Sequence, residues 1–249
     1  MYTYLSELFS SIQGEGPFIG ERHFFIRFCG CHRKCVFCDT DVERNKNIMI
    51  EKIPGSGVID CHPNPISSTK ILELINIIDK ERNCKKISIT GGEPLLQEKF
   101  LYELLPILRN DNREIYLETS GDLTRQLESI VEWINYASVD IKLSSVTNEK
   151  NSFSNHWKFL KILKNNNVDF YTKIIVSNDT DGEELVEAFE GINNVAGRET
   201  TIVLQPMTKT NNAKNIPSII NLLKWQEQAQ FYLSDVRVIP QSHKMLKAL

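Results

Sequence analysis

The stretch HFFIRFCGCHRKCVFCDT, residues 23–40, decides how this chain is read. Its opening, HFFIRFC (23–29), is an apolar, aromatic-rich run of strand length. Directly after it come Cys31, Cys35 and Cys38, spaced x₃ then x₂. A strand that runs straight into a ligand-bearing loop places that loop at the carboxyl end of a sheet, where parallel α/β folds build their sites. Structural zinc takes four protein ligands, and iron–sulfur cubes usually take four cysteines. Three thiolates on one short loop can instead hold three irons of a cube and leave the fourth open to a small molecule. A zinc knuckle that borrows His32, His62 or Cys61 as its fourth ligand is the competing reading. Cys29 is expected to pack as a small hydrophobe under the loop, and Cys61 and Cys84 to be core or surface thiols.

Outward from this stretch, apolar runs alternate with helical patterns. The spacing predicts helices over 68–81 (capped by Ser68 or Thr69), 97–109 (kinked or ended by Pro106), 124–132, 155–165, 182–190 and 214–230. Between them lie strands at 86–90, 114–120, 137–143, 168–177, 201–207 and 235–240. This alternation implies right-handed crossovers and a parallel sheet. Six units are too few to close an eight-stranded barrel. The expected fold is therefore α/β: an open, incomplete TIM-like barrel of about six βα units, with residues 1–249 as one domain. The polar, proline-bearing stretch at 43–65 reads as an excursion on one face.

The bulk numbers restrict the function. The chain has 249 residues, 41% hydrophobic and 24% charged, with a formal net charge of −3. That balance is ordinary for a soluble globular protein and disfavours direct nucleic-acid binding. No apolar run is long enough for a bilayer, so no membrane partner is expected. The start MYTYLSELFSSIQGEG lacks a secretory pattern, and a cytoplasmic location follows as the expectation. In that compartment the six cysteines read as ligands or packed thiols before disulfides.

The C-x₃-C-x₂-C loop after the first strand resembles the radical S-adenosylmethionine superfamily. TGGEP (90–94) and ETSG (118–121), each at the end of a successive strand, resemble its next two cofactor-contacting segments. The resemblance implies a 4Fe–4S cluster on Cys31, Cys35 and Cys38, with S-adenosylmethionine chelating the open iron. By the same resemblance, Phe37, Asp39, Gly92, Glu93, Glu118, Ser120, Lys142 and Ser144 are cofactor contacts. Relatives often carry Ser-Pro-Lys on the fourth strand. Here the segment is SVDIKLSS, which leaves Asp140 and Ile141 in doubt as contacts.

SIQGEGPFIG (11–20), FIRFCGC (25–31), CDT (38–40), TGGEPLLQ (90–97) and RVIPQSHK (237–244) together resemble the 7-carboxy-7-deazaguanine synthase family. That family contracts the ring of 6-carboxy-5,6,7,8-tetrahydropterin, with loss of ammonia, on the route to queuosine and other deazapurines. The resemblance implies a homodimer and a flavodoxin or ferredoxin as reductant. It makes Thr40 a Mg²⁺ ligand; read without it, Thr40 is a capping residue.

Substrate contacts are expected from the turn Ile12-Gln13-Gly14, reading the pterin edge through its backbone, and from Thr90, Gln205, Gln241 and His243. Arg27 is expected to clamp the substrate carboxylate bidentately, against the alternative of an ion pair in the barrel mouth. The cofactor carries the hard chemistry, so no general acid or base is singled out. Two rivals stand beside this reading: a glycyl-radical activase acting on a protein, and a non-enzymatic zinc-stapled scaffold.

Overall fold

The computed structural model describes residues 1–38, 40, 42–209 and 215–246. Strand β1 (Leu5–Ile12) turns back into β2 (Arg22–Phe28), and a hairpin of β3 (Asn47–Glu51) and β4 (Ile59–Pro63) follows. Then come α1 (Ser68–Ile78), β5 (Lys86–Gly91), α2 (Glu98–Asn110), β6 (Glu114–Thr119), α3 (Thr124–Glu128) and β7 (Tyr136–Asp140). The chain continues through α4 (Phe153–Asn165), β8 (Asp169–Val176), α5 (Gly182–Ala196), β9 (Ile202–Pro206), α6 (Ile219–Gln230), β10 (Val236–Val238) and α7 (Ser242–Leu246). Among the described residues one sheet has ten strands, in the order β10-β9-β8-β7-β6-β5-β2-β1-β3-β4. Its two edges do not meet, so the barrel is open, as the count of units requires.

From β2 to β10 the neighbours run parallel, each one crossover along the chain from the last. These strands are near-continuous apolar runs because both faces are covered. Phe24, Ile26 and Phe28 on β2 and Ile87 and Ile89 on β5 are fully buried. The helices follow from 3.6-residue periodicity. On α1, Ile71, Leu74, Ile75 and Ile78 face the core. Its cap is Ser67, whose hydroxyl accepts from the Lys70 amide, one residue ahead of the expected position. Pro106 neither ends nor interrupts α2, which runs on to Asn110. The burial of Leu101, Leu104, Leu105 and Leu108 outweighs one lost backbone bond.

Three sequence readings are corrected. The sheet is not wholly parallel: β1 runs antiparallel to β2, with Phe9 stacked on Phe25 at 4.9 Å between ring centres. The 43–65 excursion is not all loop: it carries the hairpin of β3 and β4. Ile48 and Ile50 point inward while Met49 is exposed, and β3 pairs with β1 to extend the sheet. The fourth parallel strand stops at Asp140, three residues before the expected end: the Ile141 amide closes the ladder on Lys173 O at 2.8 Å, and the Lys142 amide then leaves it for His156 Nε2 at 3.4 Å. Among the described residues no helix is long and apolar enough to cross a membrane.

Candidate active site

The carboxyl ends of the parallel strands open into a cleft of about 690 Å³. Its rim is the cysteine loop that follows β2, and Cys31, Cys35 and Cys38 all line it. Gly91, at φ +131°, and Gly92 are required where this loop meets the end of β5. A Cβ on Gly91 would meet Phe28 O at 2.2 Å, and one on Gly92 would meet Gly30 O at 2.1 Å. The two segments are stitched by Gly92 N to Phe28 O at 3.1 Å and Glu93 N to Gly30 O at 2.9 Å. These glycines admit neighbouring backbone first, and only through that do they shape the ligand space.

The thiols fit an iron–sulfur cluster held at three corners. They sit on one loop at one wall, beside the cations Arg33 and Lys142 that also line the cleft. Burial pushes the Cys31 and Cys35 thiols up, and the Lys142 charge pulls both back. Among the described residues no three His, Cys, Asp or Glu side chains are grouped to hold a single ion. The borrowed ligands of a zinc knuckle are placed elsewhere. His32 Nε2 is 3.1 Å from Asp122, and Cys61 and His62 lie on β4 in the sheet-edge hairpin. Cys29 is buried, as are Cys84 and its 3.1 Å contact to Ser10, whereas Cys61 is exposed.

Deeper in the cleft, Glu118 on β6 brings together two residues singled out from sequence. Its carboxylate accepts from Gln13 Nε2 at 2.9 Å and from Thr90 Oγ1 at 2.7 Å. Arg27 lies over the Phe9 ring, and its Nε is 2.6 Å from Glu7 Oε2. That Nε is not aligned as a hydrogen bond, so the contact is an ion pair in a wall that still faces the cleft. Lys142 stands over Phe37 at 5.3 Å and pairs with Asp140 at 2.7 Å. Ile12, Gly14, Thr40, Ser120, Gln205, Gln241 and His243 also line the cleft. Asp39 lies outside the described residues.

Two expected cofactor contacts are not in this wall. Glu93 is fully buried, and its carboxylate accepts from the amides of Leu95 and Ser120 and the hydroxyls of Thr119 and Ser120, at 2.7–3.1 Å. Burial pushes its carboxyl up, and those hydrogen bonds partly offset this. Ser144 is turned to Glu184, which takes its amide at 2.6 Å and its hydroxyl at 2.7 Å. The turn at Gln13 is also not free to read a ligand by its backbone. Its amide donates to Glu21 O, its carbonyl accepts from Gly20 N, and Gly14 O accepts from Ser242 N at 2.9 Å.

Sequence reasoning missed a second polar group on the floor. Lys173 on β8 is 2.6 Å from Glu15 and 3.6 Å from Asp140. Glu15 also accepts from Gln241 at 2.7 Å, which docks the C-terminal segment on the Gln13–Gly16 turn. Burial pushes Glu15 up, but the Lys173 charge and the hydrogen bonds outweigh it and bring its pKa down to about 2. Asp140 Oδ1 and Gln205 Oε1 are buried without a hydrogen-bond partner among the described residues, and both residues line the cleft. Buried acceptors in a cleft wall can take a donor from a bound molecule or an ordered water. The alternation in YTKII was the available signal for Lys173. For Glu15 it was the QGEG turn itself.

A family model, the radical SAM superfamily, matches residues 25–192. A 7-carboxy-7-deazaguanine synthase of Geobacter sulfurreducens is 35% identical over 98% of this chain and 97% of its own. One of Methanocaldococcus jannaschii is 34% identical over 98% of this chain and 100% of its own.

The chain belongs to the 7-carboxy-7-deazaguanine synthase family of the radical S-adenosylmethionine superfamily.

The crystal structure of QueE from Escherichia coli is 20% identical, with a TM-score of 0.64 over 98% of this chain and 95% of that one, and so shares the fold. Membership of the synthase family accounts for the three-thiol loop without a fourth ligand, and it sets aside the non-enzymatic scaffold.

Proposed function

We propose that this chain converts 6-carboxy-5,6,7,8-tetrahydropterin to 7-carboxy-7-deazaguanine with release of ammonia, as a carbon–nitrogen lyase of deazapurine and queuosine biosynthesis. The observation that carries this reading is the convergence, in one cleft, of the thiol loop with Arg27 and the Gln13–Glu118–Thr90 set. When bound, the 4Fe–4S cluster and S-adenosylmethionine supply the one-electron chemistry that opens the reaction. The protein's own groups orient and enclose the substrate.

Arg27 meets the substrate carboxylate with the guanidinium nitrogens that Glu7 does not occupy. Glu118, with Gln13 and Thr90, presents an acceptor–donor edge to the pterin. Asp140 and Gln205 accept from donor groups of the ligands. Gly92, Ser120, Phe37 and Lys142 form the S-adenosylmethionine side of the cleft. Thr40 offers Mg²⁺ one hydroxyl, and substrate oxygens and water complete that ion's shell. We place the enzyme in the cytoplasm as a homodimer, reduced by a flavodoxin or ferredoxin.

The test is incubation of the reconstituted chain with 6-carboxytetrahydropterin, S-adenosylmethionine, Mg²⁺ and dithionite, followed by mass analysis. The expected product has lost ammonia relative to the substrate. A loaded enzyme that cleaves S-adenosylmethionine yet leaves the pterin unchanged would overturn the assignment.

A further inference from the structure

The segment from Cys31 to Cys38 has little backbone support. Among the described residues its backbone–backbone bonds are the Cys38 N to Cys35 O turn at 3.1 Å and a long Val36 N to Thr147 O contact at 3.5 Å. His32, Lys34, Val36 and Cys38 are exposed. Yet Arg33, in the middle of the x₃ segment, turns inward until its side chain is 6% exposed. There its guanidinium meets three segments. Nη2 is 2.6 Å and Nε 3.1 Å from Asp122 Oδ2, and Nη1 is 3.3 Å from Glu149, which also takes the Lys34 amide at 2.6 Å. Ser152 Oγ also contacts Nη2.

Asp122, just past β6, is shared between two structures. Its carboxylate takes Arg33 and His32 from the cysteine loop, and its Oδ1 is 2.8 Å from Ser120 Oγ. That same hydroxyl is 2.7 Å from Glu93, the buried acid of the GGE segment. One side chain thus reads the position of the cysteine loop against two cofactor-facing segments. An ion pair this buried adds little stability over an apolar pair, and its best-attested use is to fix one arrangement among several.

We propose that Asp122 is a positioning residue. It locks the cysteine loop to the Ser120 strand end, so that the three thiols stand in register with the S-adenosylmethionine pocket before any ligand arrives. This rests on the family reading of Cys31, Cys35 and Cys38.

The experiment uses the full chain, metal-free and reconstituted, with Asp122→Asn, Arg33→Gln and the double variant. In the metal-free protein, iodoacetamide alkylation of the half-buried Cys31 and Cys35, read residue by residue by mass spectrometry, should run about tenfold faster in Asp122→Asn, with the exposed Cys38 as the internal reference. Its melting temperature should stay within about 4 °C of the parent. In the reconstituted protein, the S-adenosylmethionine concentration that half-shifts the reduced cluster's electron paramagnetic resonance signal should rise about tenfold, with Asp122→Glu restoring part of the difference. The double variant should cost less than the sum of the single ones, because Arg33 and Asp122 contact each other while each also holds partners of its own.

Parental alkylation rates and half-saturation in Asp122→Asn overturn the proposal, as do strictly additive single variants. If Asp122→Asn does not fold, Arg33→Lys, which keeps the charge and loses the fork, carries the same two readouts. A parent enzyme that binds S-adenosylmethionine at its cluster but leaves the pterin untouched defeats the proposed function and not this inference.

Discussion

Lys173 Nζ lies 2.6 Å from Glu15 Oε2, a pair that joins β8 to the turn after β1 across 158 residues. Both groups sit in the cleft wall, and neither has an equivalent substitute partner. Lys173→Met takes from Glu15 its lysine partner and leaves Gln241 and the weaker influence of His243, and should cost about 3 kcal/mol in urea unfolding at pH 7. Because the folded-state pKa of Glu15 is lowered to about 2, its contribution is present above its ordinary value near 4.5 and is lost as pH falls toward 2. The variant should show a smaller stability loss across that window. An unchanged acid profile in Lys173→Met would refute the pairing.

Two buried histidines set a second pH window. Burial lowers His23 and His156 to about 4 from an ordinary 6.5. A neutral histidine in the folded state and a protonated one in the unfolded state make stability complete above 6.5 and falling below it. The loss approaches about 1 kcal/mol per pH unit for each histidine between 6.5 and 4. Urea unfolding at pH 7.0, 5.5 and 4.5 measures it. His23→Asn should roughly halve the slope there, and a flat profile in the parent contradicts the assignment.

Arg27 tests the division of labour between Glu7 and substrate. Arg27→Ala should raise the KM for the carboxylated pterin about tenfold or more, the usual cost of losing a charged hydrogen bond. S-Adenosylmethionine cleavage without turnover of pterin should persist. Glu7→Gln should leave that KM unchanged or lower it, since the guanidinium is released toward the cleft. If Arg27→Ala keeps the parental KM, the arginine serves Glu7 alone.

Gly14 tests the C-terminal segment. A Cβ there would meet His243 Nδ1 at 2.4 Å and the His243 amide nitrogen at 2.6 Å. Gly14→Ala should push that segment off, losing the Ser242–Gly14 and Gln241–Glu15 bonds. The expected readout is faster trypsin cleavage after Lys244 by about tenfold, an opening cost of roughly 1.4 kcal/mol. A parental cleavage rate removes the docked segment from the site.

Much of this was readable beforehand, for physical reasons that also explain the failures. The parallel strands were legible because burial on both faces forces apolar runs, as in KISIT and EIYLET. The cleft-lining residues were legible where they follow such a strand. What escaped notice depends on pairings distant in sequence. β1 reads as a mixed segment until Phe9 is seen stacked on Phe25. Glu93 carries the motif's acid, yet its hydrogen bonds to Thr119 and Ser120 turn it away from the cleft, which no local pattern announces. Lys173 and Glu15 each look like ordinary polar residues, and only the fold makes them a pair.

The hairpin of β3 and β4 carries a further implication. Asn47 and Met49 belong to the cleft wall, yet the hairpin forms the outer edge of the sheet beyond β1 and, among the described residues, shares no backbone pairing with the cysteine loop. The doorway and the engine are therefore separately editable. Substitutions at Asn47 and Met49 would change the wall an incoming molecule meets while leaving the electron-handling corner untouched.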